Sequence, residues 1–215
     1  MKRLVLLILV MGIAASLFAQ NALLDYRFAS GSWGFTGDRL YQNDADARLA
    51  KVNILVPQSG LTYYEFNARY EGGGEDGHGG FGLHVFVDTP YNAASWGAGR
   101  SYLLWLNYDE NPISNSGIPR LLSGQVYRSI NNTQMELVHS ISLNDYLPML
   151  LENMNSSIPF RISVNSNSGE VRVYDPTDPA MTNYYYFYIN TGYIPSQSDW
   201  VALRTNGVKL SFGLE

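Results

Sequence analysis

The fold class is indicated first by residues 62–70, which read Thr62-Tyr63-Tyr64-Glu65-Phe66-Asn67-Ala68-Arg69-Tyr70. Apolar and polar side chains alternate along this stretch, so that one row is apolar and the row between its members is polar. Successive side chains of a β-strand point to opposite faces of the sheet, and strict alternation therefore predicts a strand with one buried face and one solvated face.

Similar segments recur along most of the chain, separated by Gly, Asn, Asp, Pro and Ser. Strands are predicted near Leu40–Gln42, Arg48–Leu55, Thr62–Tyr70, Phe81–Val87, Ser101–Tyr108, Val126–Ile130, Glu136–His139, Pro159–Asn165, Glu170–Tyr174, Tyr184–Ile189, Trp200–Arg204 and Val208–Leu214. One helix is predicted from Asn144 to Glu152, with Pro148 in its first turn. This many short strands, with so little helix, indicate an all-β sandwich or barrel built from antiparallel sheets.

The apolar rows of these strands predict the hydrophobic core. In each row the apolar side chains occupy every second position, and we expect them to face the opposing sheet. The residues predicted to be buried are Phe66, Leu83, Leu104, Ile162 and Phe212.

The first nineteen residues resemble a secretory signal peptide. Met1-Lys2-Arg3 is positively charged, the apolar run from Leu4 to Ala15 follows, and Ala19 provides a small residue at the expected cleavage position. The run is shorter than the roughly 20 residues that a membrane-spanning helix needs. We therefore expect export to the periplasm or the extracellular space, no transmembrane span after cleavage, and a single β-sandwich domain over residues 20–215.

Composition excludes several classes of function. The chain has no cysteine, which excludes disulfides, thiolate metal sites and cysteine nucleophiles. Its formal net charge is −5, and an acidic balance argues against binding to nucleic acid or to anionic membrane surfaces.

The order of several landmarks resembles the concanavalin A-like lectin and glucanase superfamily, including its laminin G-like members. The landmarks are Trp33-Gly34-Phe35, Tyr64–Arg69, Gly79-Gly80-Phe81-Gly82-Leu83, the hairpin Phe160–Val164 with Gly169–Tyr174, and the closing strands Trp200–Thr205 and Val208–Phe212. The resemblance implies a two-sheet antiparallel jelly-roll sandwich whose activity concerns sugars. Glucanases of the superfamily carry a Glu-x-Asp-x-x-Glu motif, and this motif is absent here, which favours a non-catalytic protein.

The carboxylates that come closest to a catalytic motif are Glu71, Glu75 and Asp76, which lie in a glycine-rich stretch at residues 71–80. A flexible loop cannot hold two carboxylates at a set distance, so we interpret the stretch as a solvated turn between two strands. A calcium loop is the main alternative, because carboxylates and exposed carbonyls suit that ion. No other cofactor is expected.

A candidate ligand-binding face follows if the strands at 63–69, 81–88 and 101–108 are neighbours. Their polar rows would then share one surface, flanked by a loop at residues 91–100. The candidate ligand-binding residues are Glu65, Asn67, Arg69, His84, Trp96, Trp105 and Asn107. This combination of side chains suits carbohydrate binding. A flat aromatic ring packs against the C–H face of a sugar, and amide, carboxylate and guanidinium groups bind its hydroxyls. The alternative is a sheet surface that loops or another protein cover, and for His84 alone we expect a half-exposed strand position.

The run Tyr184-Tyr185-Tyr186-Phe187-Tyr188 has two interpretations. It is either a strand whose second aromatic row lies under a loop, or an exposed patch that binds a partner. Together these features predict an exported, non-catalytic β-sandwich that binds carbohydrate or another cell-envelope component. The alternatives are a structural component of a periplasmic or envelope assembly, and a glycan-active hydrolase with unconventional carboxylates.

Overall fold

The computed structural model describes residues 25–214, so the predicted signal peptide at residues 1–19 lies outside the described residues. The strands are β1 (Tyr26–Ser30), β2 (Trp33–Thr36), β3 (Arg39–Gln42), β4 (Ala50–Leu55), β5 (Leu61–Gly73), β6 (His78–Val87), β7 (Ser101–Asp109), β8 (Leu121–Ser129), β9 (Met135–Ser142), β10 (Ile158–Asn165), β11 (Glu170–Tyr174), β12 (Tyr184–Tyr188), β13 (Trp200–Asn206) and β14 (Val208–Gly213). Short 3₁₀ turns lie at Asn144–Tyr146 and Thr191–Tyr193, and the α-helix α1 spans Leu147–Glu152.

The strands form two antiparallel sheets that pack face to face. Sheet A has the order β1-β4-β13-β6-β7-β8-β9, and sheet B has the order β12-β11-β10-β5-β14-β3-β2. The predicted two-sheet jelly-roll sandwich with one short helix is therefore confirmed. Strands β1 and β2 were not among the predicted strands, since they are short and their alternation is weak.

The core lies between the two sheets, where the apolar rows meet. Leu83, Leu104, Ile162 and Phe212 are buried, as predicted. Phe66 is only partly buried, and it packs at the edge of the core. Its ring lies 5.8 Å from that of Phe160 and 5.9 Å from that of Phe212, measured between centroids. The period-2 pattern of the sequence thus specifies which face of each strand is interior.

One assumption about strand pairing is wrong. Strand β5 pairs with β10 and β14 in sheet B, whereas β6 pairs with β7 and β13 in sheet A. The glycine-rich turn between β5 and β6 carries the chain from one sheet to the other, and four of its glycines, from Gly72 to Gly77, have positive φ values. Residues 63–69 and 81–88 are consecutive strands in sequence but lie on opposite sides of the sandwich.

The helix prediction is confirmed. The 3₁₀ turn at Asn144–Tyr146 leads directly into α1, and Pro148 lies in the first turn of α1. Backbone N–H groups in the first turn have no partner within the helix, so the missing N–H of proline costs no hydrogen bond there. Within residues 25–214 no helix is long and apolar enough to cross a membrane.

Candidate functional site

The outer face of sheet A carries a groove of about 450 Å³ that crosses β13, β6, β7 and β8. The loop at residues 88–100, which joins β6 to β7, lies over one side of this face and contributes Trp96. The residues that line this groove are Trp96, Leu103, Trp105, Asn107, Asp109, Ile118, Gln125, Tyr127, Thr133, Met135, Arg204 and Asn206. Aromatic and hydrogen-bonding side chains thus converge in a concave surface, which is the usual character of a small-molecule site.

Trp105 forms the floor of the groove. Its indole lies across the neighbouring strand β6 because that strand presents glycines there: a Cβ added at Gly80 would meet ring atoms of Trp105 at 2.6 and 2.9 Å. The indole Nε1 donates a hydrogen bond to Asn107 Oδ1 at 3.0 Å. The side chain is 8% exposed, so Trp105 offers a narrow strip of its ring and not the open platform that its place on the polar row predicts.

Trp96 is the open aromatic surface of the groove. It is 57% exposed, and its ring stands over the guanidinium of Arg204, whose Cζ lies 5.1 Å from the Trp96 centroid and 5.2 Å from that of Trp105. Arg204 Nη1 donates to the carbonyl of Trp96 at 2.7 Å, which holds the loop against the sheet. Burial lowers the pKa of Arg204 to about 10, and its Nε is buried without a hydrogen-bond partner among the described residues.

A buried lysine fastens the same loop to the sheet. Lys51 Nζ donates to Ser95 Oγ at 2.6 Å and to the carbonyl of Gly97 at 2.7 Å. Burial, and to a lesser degree the neighbouring charge of Arg204, lowers the pKa of Lys51 to about 7. Two basic side chains thus occupy adjacent strands beneath the loop, opposite each other in the register of β4 and β13.

His84 is not the half-exposed strand residue that the sequence suggested, since it is fully buried beside this lysine. Its Nδ1 lies 3.0 Å from Ser101 Oγ. Burial lowers its pKa well below the usual range, and the charges of Lys51 and Arg204 lower it further. Because the loop covers it, His84 supports the site from below and does not face the groove.

The remaining polar groups of the groove form short chains of hydrogen bonds. Tyr127 donates to Gln125 Oε1 at 2.7 Å, and Gln125 Nε2 donates to Ser123 Oγ at 2.9 Å. Asp109 lies 3.1 Å from His78 Nδ1 and is the one carboxylate among the described residues that line the groove. These groups provide donors and acceptors suited to a neutral, hydroxyl-rich ligand.

Glu65, Asn67 and Arg69 do not belong to this groove. They lie on β5, in sheet B, on its outer face. Glu65 pairs with Arg161 at 2.5 Å, and Arg69 Nε contacts Glu71 Oε1 at 2.7 Å. Of the seven predicted ligand-binding residues, the structure brings together Trp96, Trp105 and Asn107 in the groove, places His84 beneath the loop, and puts the other three on the far side of the sandwich.

The turn in the glycine-rich stretch is shorter than predicted, because residues 71–73 belong to β5 and residues 78–80 to β6. Asp76, at its tip, lies 2.5 Å from Arg48. Among residues 25–214 no group of three or more His, Cys, Asp or Glu side chains could hold a metal ion. The calcium alternative, which would also use backbone carbonyls, stays a prediction.

The tyrosine-rich strand β12 is an edge strand of sheet B. Phe187 is half-buried against the core, where His139 stacks on it and on Tyr185. Tyr186 and Tyr188, on the other row, are 57% and 60% exposed. The expectation that a loop covers this second row is therefore wrong, and the exposed-patch interpretation describes it better.

The sequence reasoning missed Arg204, Gln125 and Tyr127. Alternation could have found Arg204, because it shares the outward row of β13 with Ala202 while Val201 and Leu203 face the core. Gln125 lay outside the predicted strand, because β8 was predicted to begin at Val126 and begins instead at Leu121. Tyr127 lay within the predicted strand, on the same row as Gln125.

Comparison with known proteins informs on the fold alone. No protein-family model matches the chain, and no curated protein matches it by sequence. Among solved structures, a legume lectin-like domain from Entamoeba histolytica has a TM-score of 0.52 at 8% identity, over 88% of this chain and 86% of that one. The CBM2 module of the evolved Dit protein from Lactobacillus casei BL23 phage J-1 also has a TM-score of 0.52, at 10% identity over 88% of this chain and 86% of that one.

Both likenesses extend over 88% of this chain. The chain therefore has the concanavalin A-like jelly-roll fold. At such low identity the likeness carries no information about individual site residues.

Proposed function

We propose that this protein is an exported, non-catalytic β-sandwich that binds carbohydrate in the groove on the outer face of sheet A. The observation that carries the proposal is an exposed tryptophan, Trp96, held beside a row of amide, hydroxyl and guanidinium groups. A sugar ring has a C–H face that packs on an aromatic ring and hydroxyls that need donors and acceptors, and the groove has both. The lectin-like fold of the domain from Entamoeba histolytica supports the same class of ligand.

The arrangement assigns different roles to the two tryptophans. Trp96 packs against a sugar ring, because more than half of its surface is open. Trp105 shapes the floor, and Asn107, Gln125 and Tyr127 bind hydroxyls from β7 and β8. Arg204 sets the orientation of Trp96 through its hydrogen bond to the loop.

The test is a glycan array with the purified protein, run with and without calcium, followed by titration of each ligand found. Trp96→Ala should weaken binding roughly 10- to 100-fold, the range that loss of one aromatic stacking contact gives in nucleic-acid sites. Phe35→Ala is the matched control, since Phe35 is 51% exposed on β2 of the other sheet. Binding that survives Trp96→Ala, or that falls equally in both variants, would contradict the assignment of the site.

Hydrolysis is the less favoured activity for this groove. Glycosidases generally use two carboxylates on either side of the scissile bond, and the described lining contains Asp109 alone. We therefore expect each bound glycan to be recovered intact after prolonged incubation. Turnover that Asp109→Asn abolishes would favour the hydrolase alternative.

A structural role in an envelope assembly is favoured by one separate observation, the open edge of β12 with its exposed tyrosines. Unpaired edge strands are ready partners for another chain. Failure to bind any glycan, together with retention of the protein on isolated cell envelopes that Tyr186→Lys abolishes, would support this alternative.

A further inference from the structure

The two sheets leave an open-sided cavity between them at the end of the sandwich where β5 turns into β6. A cavity of about 450 Å³ lies between the inner faces of the two sheets there. Its walls include Phe81 and Leu106 from sheet A and Phe160 and Leu210 from sheet B. The groove lies on the outer face of sheet A, and Asn107 is the one described residue that lines both sites.

Two smaller cavities adjoin this space. They measure about 100 and 300 Å³, and both are lined by Leu106 and Phe160, as the large cavity is. Protein interiors are normally packed as densely as organic crystals, with few voids larger than a water molecule. Apolar space on this scale between two packed sheets therefore needs an explanation, even though it opens at one side.

Helix α1 covers the cavity without packing into it. Leu147, Leu150 and Leu151 of this helix line the space, yet no residue of the helix is buried, and Leu151 is 58% exposed. The helix therefore places an apolar face over a space that no side chain fills. Apolar walls give water no hydrogen-bond partners, whereas an apolar molecule would supply the missing contacts.

The charges around the cavity limit which polar head group a bound apolar molecule could carry. The acidic residues and the histidine of its lining are Glu75, Glu110 and His78, and His78 is already paired with Asp109 at 3.1 Å. The other titratable groups of the lining are Tyr70 and Tyr108. Neither lysine nor arginine is among the described lining residues. An anionic head group would meet two carboxylates, and the nearby Arg120 already donates to the carbonyl of Glu110 at 2.7 Å.

We propose that this cavity binds an aliphatic molecule with an uncharged head group, its chain lying between the sheets beneath α1. The volume is within the range of about 300–1,000 Å³ that is usual for small-molecule sites. The cavity and the groove share one described lining residue, Asn107, and otherwise lie on opposite faces of sheet A.

The experiment is a titration of the purified protein with the neutral fluorescent probe N-phenyl-1-naphthylamine, followed by displacement with decanol and with decanoate at pH 8. Saturable probe binding is expected, with decanol displacing the probe at a concentration at least ten-fold lower than decanoate. Absence of saturable binding, or displacement by decanoate at an equal or lower concentration, would overturn the proposal.

A filled-cavity variant locates the probe. Leu150→Trp places a larger side chain in the cavity and should abolish probe binding, whereas Glu152→Trp, on the same helix but outside the lining, should not. Ala68→Val fills the space from the opposite sheet, and it replaces the helix variant if Leu150→Trp does not fold. Trp96→Ala should leave probe binding unchanged. Loss of probe binding in Trp96→Ala, or its retention in a folded filled-cavity variant, would place the probe elsewhere and overturn the proposal.

Discussion

Replacing Lys51 with methionine should change how the stability of the protein depends on pH. Lys51 is fully buried, and burial lowers its pKa from 10.5 to about 7. The folded state therefore prefers the neutral amine, while the unfolded chain keeps an ordinary lysine. Between these two pKa values the unfolded chain binds more protons than the folded chain, so the free energy of unfolding rises with pH. Below about pH 7 both states are protonated, and the cost of burying the charge is present in full.

The magnitude follows from the difference in bound protons. Between pH 7.5 and pH 9 the unfolded chain holds close to one extra proton at this position, which corresponds to at most about 1.4 kcal/mol per pH unit. Over that pH range the free energy of unfolding of the wild type should rise by about 2 kcal/mol relative to that of Lys51→Met. The variant also loses the hydrogen bonds to Ser95 and Gly97, which shift its stability by an amount that does not depend on pH in this range. The informative quantity is therefore the slope of the unfolding free energy against pH. The absolute difference in stability between wild type and variant is not informative.

The assay is urea unfolding of wild type and variant at half-unit steps from pH 6.5 to pH 9. Lys209→Met is the control, because Lys209 is the other lysine of the described residues and is half-buried on the outer face of β14. Its curve should run parallel to that of the wild type. Parallel curves for Lys51→Met and the wild type would show that Lys51 keeps its charge when buried, and would refute the lowered pKa of this side chain.

Two further predictions concern the core and the compartment. Ile162→Ala and Phe212→Ala should each lower the free energy of unfolding by roughly 2–5 kcal/mol, because both side chains are buried between the sheets; unchanged urea midpoints would mean that these rows do not face the core. Mass spectrometry of the protein from its native envelope should give a mature chain that begins at Gln20, and an intact Met1 there would contradict the prediction of export.

What the sequence determined by itself was the class of structure and the orientation of each strand. Alternation along residues 62–70 and 81–87 assigns every side chain to one of two rows, and the apolar row becomes the interior because burial of apolar surface is the main force that drives folding. This information is local, since it depends on neighbours two positions apart. The same reasoning identified Trp105 and Asn107 as members of an outward row. The short helix was also identified from the sequence, with Pro148 in its first turn.

The tertiary structure alone decided which strands are neighbours. Strand β5 and strand β6 are consecutive, yet they lie in different sheets, so Glu65 and Arg69 are on the far side of the sandwich from Trp105. Pairing depends on contacts between segments distant in sequence, such as β13 with β4 and β6, and alternation carries no information about them. For this reason the place of Arg204 between two tryptophans, the burial of Lys51 and His84 under a loop, and the cavity beneath α1 appeared only when the two sheets were assembled.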